Sequence, residues 1–346
     1  MKKNKGFFAL MIIVFMLSSL FTEQPAYGVT HSFIAASGGS QSMLALNSDG
    51  TVWGWGINQN GQIGDGSTDT RPYRVKVTGL ADVKAIASGS THSVALQRDG
   101  EVFTWGSNFS GELGNGTLKE SYHPVKVTGL SDVKAVSAGS LFTVALKNDG
   151  TVWAWGKNHS GQLGDGTITS RTSPIQVPGL TAVKMISAGV RNTIALRQDG
   201  TVWVWGIDFT KPMDQPTDLG YHLNLSPVTV PNLTDVQGIA AGPSSYLIIT
   251  TEGSMLTWGF NHGTLGDGTA NNRTTPSPVV DSLLHDNMRL AGYDLIDTSI
   301  AISQKTFPVT HSADAVLLAT GYNFPDALAG ASLGVLENAP LLLFSF

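Results

Sequence analysis

The chain has 346 residues, of which 41% are apolar and 14% charged, with 40 glycines and no cysteine. This balance is typical of a globular protein built from strands and turns, and it excludes a disulfide-stabilised fold. The formal net charge is −5 and no basic stripe is present, so we expect no nucleic-acid partner.

The N-terminal segment has the pattern of an export signal. A basic start at residues 1–5 is followed by uncharged residues 7–20 and by small residues around Tyr27. The uncharged stretch is short for a membrane span, and Glu23 and Pro25 follow it. We predict a signal peptide over residues 1–28, a secreted, extracellular protein, and no stable transmembrane span after cleavage. Cleavage removes three lysines and one glutamate, which leaves a net charge of −7.

A pattern of about fifty residues recurs five times between residues 32 and 283. Its clearest copy, Asp99 to Asn108, reads Asp-Gly-Glu-Val-Phe-Thr-Trp-Gly-Ser-Asn. One tryptophan anchors each copy, at spacings of 50, 50, 50 and 53: Trp55, Trp105, Trp155, Trp205 and Trp258. A fixed period of this length indicates a repeat architecture in which each unit buries its neighbour.

Each copy predicts four short strands. In the second copy the runs 83–87, 93–96, 102–105 and 124–127 are apolar, rich in β-branched or aromatic residues, and bounded by Gly, Asp or Asn. Asp99-Gly100 predicts a two-residue hairpin turn. Four antiparallel strands form one propeller blade. The fold class is therefore all-β, a β-propeller of about five four-stranded blades.

The segment between the third and fourth strands has its own glycine pattern. It reads Gly-x-Leu/Ile-Gly-Asp/Asn-Gly at residues 61–66, 111–116, 161–166 and 263–268. We expect the Leu or Ile to plug the loop into the blade. Asp65, Asp165 and Asp267 could form a ring of carboxylates that contacts a cation or a sugar. Because Asn115 substitutes in the second copy, turn formation is the favoured interpretation.

These motifs resemble the regulator of chromosome condensation repeat family over about residues 32–283. The matching features are Asp-Gly, an aromatic residue, Trp-Gly-x-Asn, and then Gly-x-Leu-Gly-x-Gly. The resemblance implies a β-propeller, commonly of seven blades. Five copies leave three arrangements open: a closed five-bladed ring, an incomplete ring, and a ring completed by another chain.

The fourth copy departs from this pattern after Trp205-Gly206. Its loop is three residues longer and contains two prolines. A loop that breaks the pattern on a rigid scaffold can carry a binding surface, and its candidate interaction residues are Lys211, Asp214, Asp218 and Tyr221. Drift in a tolerant loop is the simpler interpretation.

A different pattern begins after residues 284–288. Residues 315–319 and 340–344 predict buried strands, and residues 325–336 predict a helix with Pro325 at its first position. Strand, helix and strand in this order form a small, truncated α/β (βαβ) segment with a parallel pair.

This segment resembles the cell-wall-binding repeat family of Gram-positive bacteria. Residues 289–294, 319–330 and 338–343 carry the resemblance, which covers a partial copy at 289–346. It implies non-covalent anchoring to anionic wall polymers, with Arg289, Asp294 and Asp326 as candidate contacts. A lone βαβ unit has little surface to bury, so we expect it to be loosely ordered or to lean on the propeller.

No catalytic, cofactor or metal site is predicted. The eight histidines are scattered without the spacing of metal ligands. His92 occupies a position that holds Phe142 in the next copy, which favours a structural role. The tryptophans could form a sugar-binding platform, but their fixed place within a strand favours the core.

The sequence favours a secreted, non-enzymatic binding or scaffold protein at the bacterial surface, with a protein or a wall polymer as its partner. One alternative is a guanine-nucleotide exchange regulator, by family resemblance. Another is a polysaccharide-active enzyme, which needs two acids facing each other across a sugar. Nothing in the sequence places Asp208, Asp214 or Asp218 opposite another acid.

Overall fold

The computed structural model describes residues 32–209, Lys211 and residues 222–280. Within these residues the chain forms twenty β-strands and no helix. The strands are β1 Phe33–Gly38, β2 Ser42–Asn47, β3 Val52–Gly56, β4 Arg71–Lys76, β5 Val83–Ser88, β6 His92–Gln97, β7 Val102–Gly106, β8 Ser121–Lys126, β9 Val133–Ala138, β10 Phe142–Lys147, β11 Val152–Gly156, β12 Arg171–Gln176, β13 Val183–Ala188, β14 Asn192–Arg197, β15 Val202–Ile207, β16 Leu223–Thr229, β17 Val236–Ala241, β18 Ser245–Thr250, β19 Met255–Gly259 and β20 Arg273–Pro278.

The strands form five four-stranded antiparallel sheets, each made of four strands that follow one another in the chain. Each sheet is one propeller blade, which confirms the predicted all-β fold. The first strands of successive blades pack against one another, so they are innermost. The fourth strands are the most exposed and form the outer edge. Within the described residues, no helix is long and apolar enough to cross a membrane.

The fourth strand of the second blade starts earlier than the sequence predicts. In the second blade β8 begins at Ser121 rather than Pro124. Thr104 pairs with Val125, and after an irregularity in register Gly106 pairs with Ser121. Proline is tolerated here because the strand lies at the sheet edge.

The hairpin between the second and third strands is not the predicted two-residue turn. Gln97 and Glu101 form its closing pair, since the Gln97 N–H donates to the Glu101 carbonyl at 2.9 Å. The loop therefore has three residues, of which only Gly100 has a positive φ, at 87°. This is a turn followed by a left-handed glycine, and only that last position requires glycine. The Asp99 carboxylate accepts the Glu101 N–H at 2.9 Å and stabilises the turn.

Apolar side chains are buried mainly between blades. The forward face of a blade is the sheet face towards the next blade in the chain, and the backward face looks towards the previous one. Between the third and fourth blades, Val144 and Leu146 of the forward face pack in one cluster with Val183, Ile186 and Trp205 of the backward face. The predicted loop plugs are also buried, at 0 to 1% exposure: Ile63, Leu113, Leu163 and Leu265.

The described blades form an open arc. The principal contacts between blades in this part of the chain join only neighbours, namely β2 with β5, β6 with β9, β10 with β13 and β14 with β17. The first blade leaves its backward face open, where Phe33 is 38% exposed at a position that holds buried Val83 in the next blade. Of the arrangements that the sequence left open, the closed five-bladed ring is therefore not the one observed.

Candidate interaction surface

A buried asparagine organises each regular loop between the third and fourth strands. In the third blade Asn158 Oδ1 accepts the Leu163 N–H at 2.9 Å, which holds the plug residue. Its Nδ2 donates to Asp165 Oδ1 and to the Thr167 carbonyl, both at 3.0 Å. Asn58, Asn108 and Asn261 stand at the same place in their blades. These loops emerge at the same end of every blade as the turns between the first and second strands, and we call this end the loop face.

The recurring aspartates of the loop face are held in ion pairs. Their carboxylates lie 2.5 to 2.6 Å from a guanidinium nitrogen, and their side chains are only 4 to 8% exposed. The pairs are Asp65 with Arg71, Asp165 with Arg171, and Asp267 with Arg273. Burial alone would raise the pKa of Asp165, but hydrogen bonds from Arg171 and Thr167 outweigh it and lower that pKa.

These ion pairs decide between the two interpretations of the aspartates. The Asp165 carboxylate also accepts the backbone N–H and the hydroxyl of Thr167, at 3.0 and 2.8 Å. Its oxygens are therefore engaged within the loop and are not presented to a cation or a sugar. The turn interpretation is the one that fits, although sequence reasoning missed the arginine. Among the described residues, no group of three or more acids and histidines could hold a metal ion.

The fourth blade replaces the organising asparagine with Asp208. This residue is 8% exposed, and its backbone N–H donates to the His222 carbonyl at 2.8 Å. Lys211 is exposed. Asp214, Asp218 and Tyr221 lie outside the residues that the structure describes, as do Arg289, Asp294 and Asp326 and the predicted signal peptide at 1–28.

Exposed apolar side chains lie on the loop face of two adjacent blades. Phe109 is 74% exposed and Leu118 58% exposed in the second blade, and Ile168 is 51% exposed in the third. Sequence reasoning missed these residues because apolar residues in loops follow no strand period. Comparison of the copies could have found Phe109, since Gln59 and His159 occupy its position in the neighbouring blades. Large exposed side chains on a rigid scaffold are typical of protein contact surfaces.

His92 lies in the junction between the second and third blades. It is 1% exposed, and its Nε2 lies 2.9 Å from Thr143 Oγ1 of the next blade. Burial lowers the pKa of His92 to about 3, so the ring is neutral at physiological pH. The position is structural, in agreement with its occupation by Phe142 in the third blade.

The anchor tryptophans belong to the core rather than to a binding platform. Trp105, Trp155, Trp205 and Trp258 are fully buried. Trp55 alone is partly exposed, because no described blade precedes the first one.

Two family models match the chain. The model of the RCC1-like domain matches residues 19–296. The model of cell wall binding domain 2 matches residues 289–345.

Solved structures share the propeller fold. Human WBSCR16 is 24% identical, with a TM-score of 0.63 over 72% of this chain and 67% of that one. Prp20p from Saccharomyces cerevisiae, which binds Gsp1p and histones, is 23% identical, with a TM-score of 0.64 over 73% of this chain and 64% of that one. The same yeast RCC1 bound to Kap60 is 22% identical, with a TM-score of 0.64 over 73% and 62%. This chain spans about two thirds of the length of these proteins.

Proposed function

Because the chain belongs to the family of RCC1-like domains, whose model matches residues 19–296, we propose that it is a secreted, non-enzymatic binding platform of the bacterial surface. The propeller presents a rigid face to a protein or polymer partner. The C-terminal segment retains the molecule at the cell wall through anionic wall polymers.

The match of residues 289–345 to cell wall binding domain 2, directly after the fifth blade, carries this proposal. The loop face supports it, because Phe109, Leu118 and Ile168 are exposed there while the repeated carboxylates are engaged in ion pairs. Such a face offers exposed apolar side chains to a partner. The fourth-blade loop with Lys211, Asp214, Asp218 and Tyr221 is a second candidate contact.

Sedimentation with purified Gram-positive cell walls tests the wall interaction. We expect the chain without residues 1–28 to sediment with intact walls. When the walls have been stripped of anionic polymers, we expect the same chain to remain in solution. A variant that combines Arg289→Ala, Asp294→Ala and Asp326→Ala should sediment less. The control Phe109→Ser changes the loop face alone and should sediment like the parent chain. Equal sedimentation with intact and stripped walls would contradict the proposal.

Fractionation of the producing cell tests the location. We expect the protein in the wall fraction and the medium, shortened near Gly28. A protein found only in the cytosol, with its first residues intact, would contradict export.

The alternative of nucleotide exchange is favoured by one observation, the structural similarity to Prp20p. Similarity of fold does not carry function, and the residues that act in exchange are not defined by it. We expect no acceleration of nucleotide release from small GTPases. The second alternative, action on a polysaccharide, predicts release of reducing ends from wall polysaccharide, and we expect none.

A further inference from the structure

The forward face of the fifth blade is an apolar sheet face that no described blade covers. The fifth residue of the second strand makes this clear. At this position Leu46, Leu96, Leu146 and Leu196 are all 0% exposed beneath the next blade. Its counterpart in the fifth blade, Ile249, is partly exposed.

Three further positions show the same difference. Leu247 replaces the fully buried Ile194 of the fourth blade, and Met255 replaces the fully buried Val202. Val279 corresponds to Val230, which is 5% exposed, and each donates its N–H to the first residue of the third strand. All three fifth-blade residues are partly exposed. We call Leu247, Ile249, Met255 and Val279 the open face.

The path of the chain points to an occupant. In the second blade the chain passes from Val127 to Val133 in six residues, and Val133 begins the strand that covers the forward face. The fifth blade continues through the equivalent Val279, and the match to the wall-binding family begins at residue 289. A segment tethered this closely has an effective concentration in the millimolar range at the open face.

A second copy of the chain is a weaker candidate for this face. Two five-bladed arcs that continued one ring would make ten blades, whereas propellers typically close with about 4–8. The two copies would therefore collide if the normal junction between blades were reproduced.

We propose that residues 289–345 pack on the open face and cap the fifth blade. The cap removes Ile249 and its neighbours from water, as terminal caps do in other repeat proteins. It also gives the segment, for which the sequence predicts a small βαβ unit, the apolar surface that such a unit cannot supply alone. This proposal does not depend on whether the segment binds wall polymer, so the wall sedimentation assay and the test below can fail independently.

Labelling of introduced cysteines in the folded protein tests the cap, and the chain suits this test because it contains no cysteine of its own. Single cysteines are placed in the full mature chain at the open face (Ile249→Cys, with Leu247→Cys as a second position), at an exposed site (Tyr73→Cys) and at a buried junction (Leu196→Cys). Tyr73 is 82% exposed and Leu196 is 0% exposed, so these two bracket the range. Circular dichroism selects the variants that fold. We expect the rate of maleimide labelling at the open face to be at least about tenfold lower than the rate in the Tyr73→Cys variant.

A protease site inserted between residues 284 and 288 then identifies the occupant. If residues 289–345 form the cap, the cleaved segment either co-elutes with the propeller or, once lost, lets the open-face cysteine react at the exposed rate. Fast labelling of the intact chain would overturn the proposal. Protection that disappears on dilution over about a hundredfold range would assign the face to a second copy, and would also overturn it. If the open-face cysteine stays protected after residues 289–345 have been removed, the proposal is overturned as well.

Discussion

The indole N–H of Trp105 donates to the backbone carbonyl of Gln62 at 2.8 Å, across the junction between the first and second blades. The bond recurs at the next two junctions, from Trp155 to Glu112 at 2.9 Å and from Trp205 to Gln162 at 2.8 Å. The second, third and fourth repeats therefore each bind the loop of the repeat before them through their anchor tryptophan, whereas the buried indole N–H of Trp258 has no hydrogen-bond partner among the described residues. In this way the blades are joined by directional bonds as well as by apolar packing.

This bond predicts unequal costs for one substitution at two equivalent positions. Trp105→Phe removes one of the two donors to the buried Gln62 carbonyl, which keeps the Ser93 hydroxyl at 2.7 Å, and it opens space at the junction. We therefore expect a loss of roughly 2 kcal/mol in the free energy of unfolding. Trp55 is partly exposed and its indole makes no hydrogen bond to another described residue, so we expect Trp55→Phe to cost less than about 1 kcal/mol. Urea unfolding followed by circular dichroism measures both. Equal losses would contradict the role assigned to the junction bond.

The glycine that follows the loop plug gives a second matched pair. A Cβ on Gly164 would lie 2.8 Å from Trp205 Nε1, whereas a Cβ on Gly266 would lie 3.0 Å from a Val279 methyl carbon and meet no tryptophan. Both glycines have positive φ, at 73° and 64°, so alanine has a similar backbone cost at each. We expect Gly164→Ala to cost roughly 2 kcal/mol more than Gly266→Ala. Thermal unfolding of the two variants measures the difference, and a difference near zero would show that the ring contact does not set the cost.

The ion pair between Asp165 and Arg171 can be tested by introducing the residues that the second blade has at these two positions. Asp165→Asn leaves Arg171 without its carboxylate, and we expect a loss of roughly 1–2 kcal/mol in the free energy of unfolding, since the arginine side chain is 35% exposed and partly solvated. The second blade has Asn115 and Ser121 at these two positions. Asp165→Asn combined with Arg171→Ser should therefore cost less than the sum of the two single changes. Strict additivity in urea unfolding would show that the two residues are not coupled.

His92 predicts part of the dependence of stability on pH. The unfolded chain takes up a proton at this residue as the pH falls through 6.5, whereas the folded protein does so only near its lowered pKa of about 3. The stability that neutral His92 provides is therefore complete above pH 6.5 and decreases by about 1.4 kcal/mol per pH unit as the pH falls towards 3.

His92→Phe removes this titration with a residue that the third blade already uses as Phe142. Between pH 6 and pH 4 we expect the free energy of unfolding of the variant to fall less steeply than that of the parent, by about 1.4 kcal/mol per pH unit. Urea unfolding at several pH values measures the slopes. The acidic groups titrate in both proteins, so they cancel in the comparison. Parallel slopes would mean that His92 is protonated in the folded state.

Much of the fold follows from the sequence because its signals are local. The fifty-residue period, the β-branched runs and the Asp-Gly turns specify four strands per repeat, and the Leu or Ile of each glycine loop specifies the plug. The exact length of the turns was harder to predict from the sequence. The register of the hairpin at Asp99 depends on the pairing of Gln97 with Glu101, which composition does not encode.

The candidate surface depends far more on tertiary structure. The sequence does not predict the ion pair between Asp65 and Arg71, because the two residues meet only when the loop folds back. The exposure of Phe109 is likewise set by which loop atoms surround it.

The sequence by itself determined that identical units stack through their tryptophans, because hydrophobic periodicity and turn chemistry act within one repeat. Only the tertiary structure decided that the described blades form an open arc, with Trp55 and Ile249 in its first and last blades. Burial at those positions depends on whether another blade packs against them. The residues of a single repeat do not determine this, because the covering blade belongs to a different part of the chain.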